Sequence, residues 1–170
     1  MTYVLERLNS AVGEVLIVTD EAGCLRALDF GDHEERMHRL WRRYYKGGPP
    51  AFSSAAAPTA AHRAMQAYFA GELDAIENLP VETGGTAFQR QVWAALRQIP
   101  RGQTESYGEL AARIGRPRAV RAVGLANGAN PVGIVVPCHR VIGANGTMTG
   151  YGGGVDRKRW LLEHEGARLG

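Results

Sequence analysis

The residues best equipped for covalent chemistry are Cys138 and His139, adjacent within Pro137-Cys138-His139-Arg140. A thiol is a nucleophile only as its thiolate, and with an ordinary pKa near ~8.5 only a few per cent is ionised at neutral pH. A nearby imidazole is the usual remedy, taking the proton directly or through a water. Read alone, a single free cysteine is more often a small buried hydrophobe, so the pair needs support from its surroundings. The apolar run Pro131–Pro137 leads into it and reads as a buried strand whose end delivers the cysteine. Neighbours on a strand point to opposite faces, so His139 need not reach Cys138 directly and could act through one bridging water. A carboxylate from elsewhere in the fold, such as Glu165, would orient the imidazole.

The elements that must hold these residues are well punctuated. Thr86-Ala87-Phe88-Gln89 has capping-box spacing and opens a helix expected to run to about Ile99, before Pro100. Ser106-Tyr107-Gly108-Glu109 is a second capping box, opening a short helix to Ile114. Gly115-Arg116-Pro117 breaks it, and Pro117 suits the first turn of a third helix, Pro117–Asn127, which Gly128 ends. Two short helices joined by a tight glycine-containing turn form a helix-turn-helix pattern. Asn145-Gly146 marks a hairpin-type turn and Tyr151-Gly152-Gly153-Gly154 a flexible loop. Asp156 is expected to cap a last helix, Arg157–Glu165, ended by Gly166.

The first half reads differently. Thr2–Leu8, Glu14–Thr19 and Cys24–Phe30 are short, rich in Val and Leu, and separated by turn signals, which predicts an antiparallel meander. His33–Tyr45 turns helical, with Met37, Leu40, Trp41 and Tyr44 on one face, and Gly47-Gly48-Pro49-Pro50 stops it. Pro58–Ala70 is a second helix with Met65, Tyr68 and Phe69 on one face and Gly71 as C-cap. Residues 73–85 carry acidic, Pro and Gly punctuation, so the junction falls there, dividing 1–84 from 85–170.

Composition bounds the class of protein. With 170 residues, 45% hydrophobic and 22% charged, the chain can bury a core and is not disordered. No apolar run approaches the ~20 residues of a membrane-spanning helix. The amino terminus carries neither basic leader nor apolar segment, so no secretory signal is read. Two cysteines without a CxxC pair make neither a disulfide framework nor a metal site, and a reduced, cytoplasmic protein is expected. The net charge of +3 hides a division: residues 1–85 carry −4 and residues 86–170 carry +7. The only lysines are Lys46 and Lys158, so the basic half is almost wholly arginine, the residue suited to phosphate contacts and stacking. The bland reading is a solvated basic face; the sharper one is polyanion binding.

Between Phe88 and Glu165 several pieces stand in one order: Ser106-Tyr107-Gly108-Glu109-Leu110, Arg118-Ala119-Val120-Arg121-Ala122-Val123-Gly124 and Asn127-Gly128-Ala129-Asn130-Pro131. Ile134-Val-Val-Pro-Cys138-His-Arg-Val141-Ile-Gly follows, then Gly150-Tyr151-Gly-Gly-Gly154 and Lys158-Arg-Trp160-Leu-Leu-Glu-His-Glu165-Gly. This set resembles the methylated-DNA–protein-cysteine methyltransferases, or O6-alkylguanine-DNA alkyltransferases, which are suicide DNA-repair proteins. The resemblance implies an α+β fold. A small amino-terminal antiparallel sheet with helices, ribonuclease H-like, would precede a mainly helical winged helix-turn-helix domain that binds DNA and accepts the alkyl group.

It also assigns roles. Cys138 would attack the alkyl carbon on O6 of guanine, His139 would activate it through water, and Glu165 would orient His139. Tyr107 would donate its proton to N3 of the departing guanine, and Asn130 would be a hinge between the DNA-binding helix and the cysteine. Arg121 matches the arginine finger that fills the stack once the damaged base is flipped out. Tyr107, Gly108, Arg116, Ala119 and Gly124 would join it at the DNA, and Val141, Tyr151 and Gly152 would line the alkylguanine pocket. Without the resemblance, Tyr107 would read as a packed aromatic, Asn130 as an ordinary turn residue, and Arg116 and Arg118 as solvated or phosphate-binding. The third helix carries small residues rather than base-reading side chains, which suits close approach to the minor groove in any sequence context.

The implied partner is double-stranded DNA containing O6-alkylguanine, met by a monomer that can cluster along the duplex, with no membrane contact. No phosphate loop or dinucleotide fingerprint is present, so no cofactor is expected, and Cys138 would be consumed with one alkyl group. His33, His38 and His62 read as helix-surface residues, and no metal is expected. Gly152 stands where many relatives have Ser, leaving backbone amides to meet O6. Gly133 stands where some have Pro, which predicts room for groups beyond methyl. Competing classes are a non-catalytic lesion sensor, against which the intact Cys138 argues, a cysteine hydrolase, and a plain DNA-binding regulator.

Overall fold

The computed structural model describes residues 2–45 and 51–169, so the Gly47–Pro50 helix stop lies outside the described residues. The chain forms two compact units, residues 1–84 and 85–170. In the first, β1 (Val4–Ser10), β2 (Gly13–Thr19) and β3 (Leu25–Phe30) make an antiparallel meander in sequence order. Leu8 pairs with Val15 and Val15 with Phe30. β2 has Val15, Leu16, Ile17 and Val18 fully buried, so both faces of the sheet are covered. On one face Leu16, Val18 and Ala27 pack with Met37 and Trp41 of α1 (Glu34–Tyr44). By alternation Val15 and Ile17 point the other way. α2 (Ala60–Phe69) packs on β1 and β2 with Met65 and Tyr68 buried. α2 starts at Ala60, two residues after the expected start, because Thr59 caps it with its side chain accepting from the His62 amide.

The second unit is mainly helical: α3 (Ala87–Leu96), α4 (Tyr107–Arg113), α5 (Val120–Gly128) and α6 (Val155–His164). Thr86 and Ser106 both close capping boxes, with Gln89 and Glu109 respectively. α3 ends at Leu96, and a turn carries the chain on to Ile99. α5 begins three residues later than Pro117 because Arg116–Ala119 closes as a turn, with Ala119 N–H donating to Arg116 O at 2.9 Å. Gly115, at φ +79°, makes the break between α4 and α5 that only glycine adopts without strain. Gly128 is the last helical residue rather than a left-handed cap. α5 packs against α3 and α4, and the Trp93 indole donates to Ala126 O at 2.8 Å.

Two expectations are corrected. Pro131–Pro137 is a run of turns and not a strand. Asn130 explains it: its Nδ2 donates to Val136 O at 2.8 Å and its Oδ1 accepts from Val132 N at 3.0 Å. Those groups, with Val136 N donating to Val132 O, are taken up within the loop, and only Val132 makes a single-residue bridge. Ile134 turns the corner at φ +68°, a strained position for a β-branched residue, with its side chain fully buried. The last helix starts at Val155, two residues ahead of expectation, with Gly154 (φ +96°) at its N-cap and Asp156 inside its first turn.

Candidate active site

Cys138, His139 and Arg140 form one turn of 3-10 helix directly after the Asn130 loop. The tight turn separates adjacent side chains by ~120° instead of the 180° of a strand. Cys138 is 8% exposed, and its N–H donates to Val136 O at 2.8 Å. Its carbonyl accepts from Asn127 Nδ2 of α5 at 3.4 Å, which ties the cysteine's backbone to that helix. From Val141 the chain enters β5 (Val141–Ile142), which pairs in parallel with β4 (Glu105–Ser106). This two-residue ladder draws the N-terminus of α4, and with it Tyr107, alongside the cysteine turn.

His139 is completely buried, and its Nε2 lies 3.0 and 2.9 Å from the two oxygens of Glu165. That contact assigns the proton to Nε2 and leaves Nδ1 as the acceptor. Nδ1 is buried with no protein partner. Glu165 is the C-cap of α6, and Arg140 Nε donates to its Oε1 at 2.9 Å while Arg140 Nη1 donates to Ile99 O at 2.6 Å. Burial works to raise the Glu165 pKa, but attraction to His139 and hydrogen bonds from His139 and Arg140 outweigh it and hold the group at about 2. The imidazole therefore faces a permanent anion.

Tyr107 is the first residue of α4, set by the Ser106 cap. A Cβ on Gly124 of α5 would lie 3.8 Å from Tyr107 Cδ1, so the ring rests on α5 where the helix has no side chain. Thr149 Oγ1 donates to the Tyr107 hydroxyl at 3.2 Å, which leaves the phenolic proton free to be given elsewhere. Val141 is fully buried, while Tyr151 is half-buried and Gly152 exposed in the loop before α6. Arg121 is exposed on α5, Gly108 is exposed on α4, Arg118 is exposed in the turn before α5, and Ala119 is half-buried. The Arg116 guanidinium sits over the Phe88 ring, 5.5 Å from its centroid.

Sequence reasoning gave no role to three residues that the fold brings to this site. Arg140 and Asn127 were legible only as parts of motifs. Lys158, also only part of a motif in the sequence, is fully buried, with Nζ donating to Val141 O at 2.6 Å and Thr149 O at 3.1 Å. Burial pulls its pKa down to about 8, partly offset by attraction to Cys138. Its contacts bind both ends of the 141–149 loop to α6.

His33, His38 and His62 and the second cysteine lie in the first unit. His38 Nε2 is 3.3 Å from Glu34 within α1. Cys24 stands with Asp20 and Glu82, their ligating atoms within 4.8 Å of one another. Arg26 already supplies the positive charge there, bonding Asp20 at 2.8 Å and Glu82 at 3.4 Å.

An antiparallel sheet unit followed by a helix-turn-helix unit with a buried Cys-His-Glu cluster defines a class, and family models agree with it. Residues 3–83 match the 6-O-methylguanine DNA methyltransferase ribonuclease-like domain, and residues 87–167 match the DNA-binding domain of the same family. The chain belongs to the 6-O-methylguanine DNA methyltransferase family. A methylated-DNA–protein-cysteine methyltransferase of Shigella flexneri is 52% identical over 164 residues, 96% of each chain. Mycobacterium tuberculosis OGT, solved in complex with DNA, matches at TM-score 0.78 and 40% identity, covering 97% of this chain and 93% of that one. The O6-methylguanine-DNA methyltransferase of Pyrococcus kodakaraensis KOD1 matches at TM-score 0.74 and 29% identity, covering 98% and 100%. Among the described residues no helix is long and apolar enough to cross a membrane.

Proposed function

We propose that the chain repairs DNA by transferring the alkyl group of O6-alkylguanine, and of O4-alkylthymine, to Cys138, once per molecule. The observation that carries this reading is the imidazole of His139, pinned by Glu165 through Nε2 and left with an unpartnered Nδ1 in the Pro-Cys-His-Arg turn. The Cys138 proton passes through one water to Nδ1, and the charged imidazole is stabilised by Glu165. The thiolate attacks the alkyl carbon in line with the C–O6 bond. A carbon–sulfur bond forms, the carbon–oxygen bond breaks, and its electron pair goes to the guanine. Tyr107 gives its proton to N3, so guanine leaves neutral. Cys138 ends as a thioether and is consumed.

Double-stranded DNA is the partner. α5 approaches the minor groove, the damaged base is flipped, and Arg121 takes its place in the stack. Gly108, Ala119 and Gly124 permit close approach of the backbone, and Arg116 joins the phosphates from its position over Phe88. Val141, Tyr151 and Gly152 line the pocket of the flipped base. The protein acts as a monomer. A labelled-methyl duplex tests the reading: protein-bound label should saturate at one equivalent, whereas turnover beyond it would point to a hydrolase-like mechanism. With Gly133 rather than Pro beside the site, O6-butylguanine DNA should also be repaired, and no detectable butyl transfer would remove that expectation.

A further inference from the structure

Leu125 is 71% exposed on α5, against 39% for Val120 and 41% for Val155, the other exposed large hydrophobic residues of the described chain. α5 turns Val123, Ala126 and Asn127 inward, and Val120, Arg121, Ala122, Leu125 and Gly128 outward. Leu125 follows Arg121 by four residues, so the two share a face about 6 Å apart along the axis. Their outward neighbours are Ala122 and Gly128, so Arg121 and Leu125 are the side chains that project from that face. An isobutyl group kept in water forgoes the gain of burial, which an occupant covering it would recover.

The charge around it selects one. Residues 110–155 contain no Asp or Glu; Arg113 and Arg140 are ion-paired with Glu105 and Glu165, and Arg116, Arg118 and Arg121 are exposed at or just before the start of α5. A second copy would bring the same positive face, whereas a polyanion is complementary. Proteins that enter the minor groove commonly set apolar wedges such as Leu beside their basic side chains. We propose that Leu125 is a second groove-entering residue, packing on deoxyribose rings one helical turn beyond Arg121. This rests on the proposed DNA reading. It adds an apolar, salt-independent component to binding on a helix whose other outward positions are Val120, Arg121, Ala122 and Gly128.

The test is duplex binding by the full chain, measured across a salt series. Leu125→Ala is expected to raise the dissociation constant about tenfold, the share of a largely buried leucine. The slope of log affinity against log salt should stay unchanged, because no phosphate contact is lost, while Arg118→Ala lowers that slope by about one. Its melting temperature should remain within about 2 °C of the parent, as for other exposed substitutions. Unchanged affinity in Leu125→Ala, or a reduced slope, overturns the proposal. So does self-association of the DNA-free protein that Leu125→Ala abolishes, which would assign the side chain to a second copy. If the parent protein itself fails to bind duplex, the DNA reading falls as well.

Discussion

At Lys158 the site holds a cation where burial disfavours one, and pH reports it. The folded state keeps this amine at about 8 against 10.5 ordinarily. Between those values the unfolded chain binds more protons than the folded one, so the Lys158 contribution to stability rises with pH over that window and is flat below it. Lys158→Met should remove that rise, and urea unfolding at pH 7.5 and 10 in both proteins checks it. An identical pH dependence in the two would contradict the assignment. Glu165 behaves in the opposite sense: its stabilisation is complete above about 4.5 and is lost as pH falls toward about 2. Cys138, His139 and Glu165 were legible as candidates because their residue types are rare partners in one motif region. Lys158 was not, since nothing in an Arg-Lys-Arg helix segment says which of three cations turns inward.

Among the elements, the Asn130 loop does the positioning. A buried asparagine with both amide ends bonded to the backbone converts an apolar run into the turns that present Cys138. Asn130→Ala should cost about 2–3 kcal/mol of unfolding free energy, from one unpaired amide and one weakened carbonyl, and slow single-turnover transfer with it. A denaturation midpoint equal to the parent's would show that the loop is held by other means. The capping boxes at Thr86 and Ser106 were legible because caps are local chemistry. The strand expected at Pro131–Pro137 was wrong because an apolar β-branched stretch has no periodicity to separate strand from buried turn. Helix ends at Pro117, Gly128 and Asp156 shifted by a few residues for the related reason that several nearby residues can each serve as a boundary.

Across the molecule, charge divides with the fold. The amino-terminal unit is acidic and carries the antiparallel sheet, while the arginine-rich unit holds the helix-turn-helix, the cysteine turn and every residue of the proposed chemistry. The first unit is proposed as structural support. A fragment of residues 84–170 should then be less stable and react more slowly than the whole chain; full stability and full rate would refute that role. The family character of the whole was legible in the second half, where ordered motifs crowd. The first half offered only short strands and two amphipathic helices, patterns shared by many folds.

The most direct measurement is intact-protein mass spectrometry after mixing with excess O6-methylguanine duplex, followed by peptide mapping. The account predicts a single gain of about one CH2, located on Cys138 and absent from Cys138→Ser, with no further reaction. Tight binding to the lesion duplex without any mass gain would contradict it and leave a sensor in place of a repair protein.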